Sequence, residues 1–152
     1  MRRKDKEITD KTIIDSIINK ASVCRLALSD ENVPYIVPLS FGYKNNALYF
    51  HSAPQGKKID ILKKNNKVCF ELDISHDIVK DEIACKWGMK YFSVIGFGRA
   101  EFIDDLELKQ NALNIIMEHY SNQSFTYLND IVEKIAIIKV EIENITGKKS
   151  GY

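Results

Sequence analysis

The sequence predicts a mainly β protein of the α+β type, with about six antiparallel strands and three helices, the strands closing into a small barrel. Three observations predict it. Short apolar and β-branched runs recur along the chain, separated by polar turns such as SDEN, KNN and KKNNK. Helical spacing of apolar residues appears in three places only: early, in the middle and late. Gly96 and Gly98 interrupt the longest strand-like run, as the bends of a closing barrel require. No Gly-x-Gly-x-x-Gly opens a helix, so a doubly wound nucleotide fold is not indicated.

The elements follow in order. Residues 1–8 are polar and expected to be extended. Thr9 or Asp10 can cap a helix whose apolar face is Ile13, Ile14, Ile17, Ile18 and Ala21. Residues 23–28 form the first strand, with Cys24, Leu26 and Leu28 on one face. Residues 29–32 turn the chain into a second strand over 34–43. Pro38 lies inside that strand and cannot donate to a ladder, so it marks an edge, a bulge or a break in pairing. A break would leave neighbouring backbone groups free to meet a ligand.

Residues 44–46 form a hairpin turn into the stretch LYFHSAPQGKKIDILKKNNK, which reads as strand, tight turn and short helix. Lys57 and Lys58 occupy the first turn of that helix, where the helix dipole already places partial positive charge; exposed cations there cost about 0.3–1 kcal/mol. Either both are solvated and offset by Asp60, or an anion meets them together with the free helix amides and the Ser52 hydroxyl. Local chemistry leaves both readings open.

A further strand covers residues 68–73. Residues 74–86 show no period and are expected to loop out. Residues 91–103 form a long strand, on which Arg99 and Glu101 can pair. Asp104 or Asp105 caps a helix reaching about Tyr120, with Leu106, Leu113, Ile116, Met117 and Tyr120 inward and His119 complementing its C-terminal dipole. A loop over 121–129 and a last strand over 136–142 follow, then a tail anchored by Ile145 and loose over 148–152.

Composition narrows the function. The 152 residues, 45% hydrophobic and 28% charged, suit one globular domain over 1–152. A net charge of +1 gives no general footprint for nucleic acid, although lysines concentrate over residues 57–67. No apolar run reaches membrane-span length, and no apolar segment follows the charged MRRKDKEITDK, so neither a membrane nor a secretory leader is expected. Cys24, Cys69 and Cys85 are an odd, widely spaced set without a CxxC, which suits reduced thiols in the cytoplasm. His51, His76 and His119 do not fall at metal-ligand spacing, so no metal is expected.

The runs PYIVPLSFGY, LYFHSAPQGKK and NNKVCFELD, in this order and spacing, resemble the FMN-binding split barrel of the pyridoxamine 5′-phosphate oxidase-like superfamily. The chain looks most like the branch holding the nitroimidazole-resistance (Nim) proteins. MRRKDKEI, CRLAL, SVIGFGRAEFI and VEIENITGKKSG fit the same branch, so the resemblance covers nearly the whole chain. It implies a six-stranded antiparallel Greek-key split barrel with flanking helices, and a homodimer with FMN at the subunit interface. It implies that Lys57 and Lys58 grip the FMN phosphate, with His51 and Ser52 beside the ribityl chain and phosphate. In the oxidase the first of the basic pair is usually arginine; lysine keeps the charge without the bidentate fork. It implies that Pro38, Leu39 and Ser40 run along the flavin ring. His51 also resembles a Nim histidine near the flavin, able to donate a hydrogen bond or a proton; the alternative is a strand-end histidine bonded to backbone. Trp87, the single tryptophan, is either a core or interface residue or a wall of the flavin pocket supplied by the second subunit.

The activity implied is that of an FMN-dependent flavoprotein oxidoreductase acting on nitroimidazole-type or other small electrophilic compounds. The tail TGKKSGY differs from the substrate-reading end of the oxidase, so vitamin B6 oxidation is not expected. Alternatives are a non-catalytic flavin, deazaflavin or haem-binding split-barrel protein.

Overall fold

Asp10 starts the first helix by accepting from the backbone amides of Thr12 and Ile13, which serves two donors that the helix cannot. The helix, α1 (Lys11–Lys20), turns Ile14, Ile17 and Ile18 into the core; each such burial contributes roughly 1.5–3 kcal/mol. The computed structural model describes residues 3–152, so the Met1 and Arg2 of the opening motif lie outside the described residues.

The strands are β1 (Glu7–Ile8), β2 (Cys24–Asp30), β3 (Val33–Leu39), β4 (Gly42–Lys44), β5 (Ala47–Ser52), β6 (Lys67–Val79), β7 (Gly88–Ile103) and β8 (Ala136–Ser150). They form one antiparallel sheet in the order β3-β2-β6-β7-β8-β5-β4, with β1 added along β8. The split-barrel class expected from the sequence holds. The six expected strands become eight for two reasons. The run over 34–43 divides at Ser40 and Phe41, and Glu7 and Ile8, expected to be merely extended, pair with Lys148 and Gly147.

Turn chemistry fixes the hairpins. Glu31 and Asn32 have φ of 46° and 71°, and Asn45 and Asn46 have 52° and 60°. Two successive left-handed residues make the tight turn whose twist matches the flanking strands. The alternation expected on the first strand is seen: Cys24, Leu26 and Leu28 are buried.

The remaining α-helices are α2 (Lys57–Lys64), α3 (Leu106–Tyr120) and the short α4 (Asn129–Glu133), where the sequence suggests only a loop up to Asn129; single 3-10 turns lie at Lys4–Lys6, within the segment expected to be extended, and at Ala84–Lys86. Asp105 caps α3 by accepting from the Leu108 amide. The inward face of α3 is Lys109, Ala112 and Ile116, whereas Tyr120 is 44% exposed. Lys109 was not anticipated there because only apolar residues were placed inward. Its ammonium donates to the carbonyls of Glu133 at 3.3 Å and Ile135 at 2.8 Å, just past α4, while its stem packs inside. Among the described residues, no helix is long and apolar enough to cross a membrane.

Three local expectations are corrected. Residues 74–79 continue β6 instead of looping out, because β7 extends to Gly88 and pairs with them past a register shift between Ile74 and Asp77. The tail is not loose through its whole length: β8 runs to Ser150, flanked by β7 and β1, and Tyr152 stacks on Phe92 at 4.6 Å. Arg99 pairs with Glu143 of β8 at 2.7 Å, diagonally beside the β7/β8 register shift, and Glu101 pairs with its directly opposite neighbour Lys139 at 3.0 Å, so both charges are met across the strands instead of along β7.

Both strand glycines are structural. A Cβ on Gly96 would overlap the Phe70 ring, and one on Gly98 would overlap the Glu141 carbonyl at the β7/β8 register shift. Phe70 is fully buried, so the ring cannot retreat into solvent. Gly96→Ala is therefore expected to destabilise the fold by about 1–3 kcal/mol, read as a lower urea midpoint; an unchanged midpoint would contradict this packing.

Candidate functional site

Residues 33–44 form one apolar segment in the sequence and two strands in the fold. β3 pairs with β2 at one end of the strand order, and β4 pairs with β5 at the other. The chain crosses between the two sheet edges at Ser40 and Phe41. Pro38 lies in edge strand β3 opposite Arg25, where a missing N–H is tolerated. Both sequence readings of this proline, an edge and a nearby break, are therefore met. Pro38 and Ser40 are exposed, and Leu39 packs half-buried on the core.

β4 covers only Ala47, Leu48 and Tyr49 of β5. Beyond it, Phe50, His51 and Ser52 pair with Ile138, Ile137 and Ala136 of β8 on one side and with no strand on the other. The bare stretch of β5 thus lies where the β3–β4 crossing leaves the sheet. The His51 ring is exposed and makes no hydrogen bond among the described residues, which removes the backbone-bonded alternative. Ser52 is half-buried at the strand end.

After Ser52 comes an exposed turn and then Gly56, with φ of 119°. A side chain is strained in that region, so glycine is required for backbone conformation. No side chain caps α2, which leaves its first-turn amides without a side-chain acceptor. The Lys57 ammonium lies 4.8 Å from the centroid of the Tyr35 ring on β3, a cation–π contact that ties the helix start to the edge strand. Lys58 is half-buried, and burial pushes its pKa down. Its ammonium has no ion pair or hydrogen bond among the described residues.

His51 and Ser52 end the strand, Lys57 and Lys58 open the helix that follows, and Lys57 contacts Tyr35 on the strand carrying Pro38 and Leu39. The arrangement suits an anion: uncapped amides, a helix dipole and two ammonium groups without a carboxylate partner among the described residues. Tyr35 was missed as a contact of Lys57; its only signal was its place on the same strand face as Val37 and Leu39.

Trp87 stands apart. It is 52% exposed, and its Nε1–H donates to the Asp81 carbonyl at 2.7 Å, so it is not a core residue. It precedes Gly88 at one end of β7, whereas His51 and Ser52 lie beside the other end, at Ile137 and Ile103. The length of β7 separates them, about 50 Å of strand at ~3.3 Å per residue.

The outer face of the sheet carries apolar residues in cross-strand register. Ile36, Ala27, Cys69 and Phe97 form one row, and Pro38, Arg25, Glu71 and Ile95 the next. Ile36 is 59%, Phe97 52% and Ile95 44% exposed. Arg25 is held between Glu71 at 3.1 Å and Asp73 at 2.6 Å. Among the described residues no cluster of His, Cys, Asp and Glu could hold a metal.

Comparison with known proteins places this geometry. A family model described as pyridoxamine 5′-phosphate oxidase matches residues 10–149. A solved structure of a candidate 5-nitroimidazole antibiotic resistance protein from Bacteroides thetaiotaomicron is 41% identical, with a TM-score of 0.86 over 94% of this chain and 86% of that one. A FAD and heme binding protein from Mycobacterium smegmatis shares the fold at 16% identity, with a TM-score of 0.88 over 97% and 74% of the two chains. A Rhizobium meliloti protein described as uncharacterized is 36% identical over 56 residues; the match covers 37% of this chain and about a third of that relative's length, 36%.

The electrostatics of Lys58 yield a prediction. Its folded pKa lies below the ordinary 10.5, so the unfolded chain binds that proton more tightly, and stability rises with pH through the window just below 10.5. At neutral pH the charged side chain costs stability. Lys58→Met is expected to raise the thermal midpoint of the protein without added ligand by about 1–3 °C at pH 7, with the gain shrinking as the pH approaches 10. A lowered midpoint at pH 7 would show that the ammonium has a stabilising partner.

Proposed function

The chain belongs to the pyridoxamine 5′-phosphate oxidase family, and from that premise we propose that it is an FMN-dependent flavoprotein oxidoreductase working as a homodimer. One observation carries the reading: the uncapped start of α2 with Lys57 and Lys58 unpaired by any carboxylate among the described residues, following the bare end of β5. A phosphate monoester fits that site by charge and by donor count. Lys57 and Lys58 would hold the FMN phosphate. Ser52 would donate to the phosphate or the ribityl chain. Pro38, Leu39 and Ser40 would lie along the isoalloxazine ring at the edge crossing.

Bound FMN would supply electron transfer between a reductant and a small electrophilic acceptor. The similarity to the Bacteroides thetaiotaomicron protein makes a nitroimidazole-type compound the acceptor class to test. His51, exposed and without a hydrogen-bond partner among the described residues, would donate a hydrogen bond or a proton to that acceptor.

A second copy completes the account. The rows containing Ile36, Phe97 and Ile95 expose apolar area on the face next to Pro38, and a partner subunit would cover it. Trp87 cannot wall its own subunit's site, so its role in the pocket would be exercised across the dimer. The three cysteines are all free, in keeping with a cytoplasmic setting.

Replacing both lysines, Lys57→Ala with Lys58→Ala, is expected to weaken FMN binding at least about a hundredfold, as two charge-assisted contacts imply, with an unchanged circular dichroism spectrum. Full flavin occupancy in that variant would overturn the phosphate assignment. His51→Ala should retain FMN and slow acceptor reduction about a hundredfold; unchanged reduction and reoxidation rates would leave His51 without a chemical role.

A further inference from the structure

The crossing at residues 40–41 is held from outside the sheet by the last turn of α3. The Phe41 N–H, which the break frees from any ladder, donates to the Tyr120 hydroxyl oxygen at 2.9 Å. The same hydroxyl donates onward to the Ser22 carbonyl at 3.0 Å. Its one hydrogen and one of its lone pairs are thus used, each on a backbone group outside regular pairing. The residue before it acts in parallel. His119 Nε2–H donates to the Ala21 carbonyl at 2.7 Å, and its ring lies tilted against the Phe41 ring at 4.3 Å. Next to Phe41, Gly42 is in such close approach to α3 that a Cβ would come within 2.5 Å of the Ile115 carbonyl.

Phe41 of the crossing and Gly42, the first residue of β4, are therefore fixed by α3, and α3 is itself tied to the segment between α1 and β2. Ser40 is the next residue back, exposed and bound by neither β2 nor β5. Any displacement of Phe41 is passed to Ser40 and Leu39 through two peptide planes.

We propose that Tyr120 is a positioning residue for the cofactor-edge segment 38–40, its hydroxyl setting where the Ser40 and Leu39 backbone meets the flavin ring. This rests on the flavin reading of the site. Tyr120 touches neither the cofactor nor a substrate in this account. It acts by satisfying the two backbone groups that the β3–β4 break and the α1–β2 link leave open, so that the break has one geometry instead of several.

The test is Tyr120→Phe, which keeps the ring and removes the hydroxyl. A second variant, Ala112→Gly, loosens the buried middle of α3 while leaving the hydroxyl in place, and controls for lost stability. FMN affinity, the visible spectrum and midpoint potential of bound FMN, and hydrogen exchange of the Phe41 amide are measured for both variants and the wild type. Tyr120→Phe should speed Phe41 exchange, weaken FMN about fivefold, the worth of one neutral hydrogen bond, and shift the flavin spectrum and potential. Ala112→Gly should lower the melting temperature with the spectrum and potential unchanged. Wild-type spectrum, potential and affinity in Tyr120→Phe would overturn the positioning role even if the melting temperature falls. A wild-type protein that takes up no FMN would instead overturn the flavin reading and this role with it, whatever the exchange data show.

Discussion

The sheet closes through one covalent segment, and the site depends on that closure. Residues 33–44 leave β2 at one edge as β3 and arrive at β5 on the other edge as β4. No ladder bonds β3 to β4, so the two edges meet through the chain itself, through the core beneath it and through the contact of Lys57 with Tyr35. Edge strands are ordinarily liabilities, because their open N–H and C=O groups invite pairing. Here the edge strand β3 is met by the start of α2, through the Lys57 ammonium over the Tyr35 ring. The central strands β6, β7 and β8 offset the open edges: their long pairing, interrupted by one register shift in each ladder, and the fully buried Phe70, Val94, Ile138 and Val140 supply cohesion that the crossing lacks.

The same region concentrates local costs. Gly56 holds a backbone conformation disfavoured for any other residue, α2 lacks a side-chain cap, and Lys57 and Lys58 oppose the helix dipole. Each opposes stability by an amount on the order of 1 kcal/mol or less. The cation–π contact of Lys57 returns about 0.5–1 kcal/mol at an exposed site and does nothing for Lys58. A dianion at the helix start reverses the sign of every one of these terms except the glycine conformation. Locally unfavourable choices that a single ligand class would reverse together are the pattern of a binding site, where local rules are broken and offset elsewhere.

Much of this was legible in the sequence, and the exceptions have physical causes. Local signals carried the strand–turn–helix at 47–64, because proline and glycine punctuate it and helical spacing follows at once. They also carried the Asp10 cap and the alternation of Cys24, Leu26 and Leu28. Nonlocal pairing was less visible. Residues 74–79 and 148–150 carry no strand period of their own and are strands because β7 is long enough to pair with both. Arg99 found Glu143 instead of Glu101 because register across β7 and β8 cannot be read along one strand. Lys109 has no apolar signal to place it inward, yet carbonyls at and just past the end of α4 accept from its ammonium. Tyr120 falls on the apolar face by spacing, whereas its hydroxyl bonds the Phe41 amide and the Ser22 carbonyl. The family resemblance supplied what periodicity could not: which of the two readings of Lys57 and Lys58 to prefer.

The most direct test of the account is the visible absorption spectrum of the purified protein, before and after addition of FMN, with identification of any chromophore released on denaturation. The account predicts a yellow protein, or one that turns yellow by binding FMN stoichiometrically, and FMN as the released chromophore. A colourless protein that ignores added FMN would contradict the proposal that the lysine pair at α2 is a flavin phosphate site.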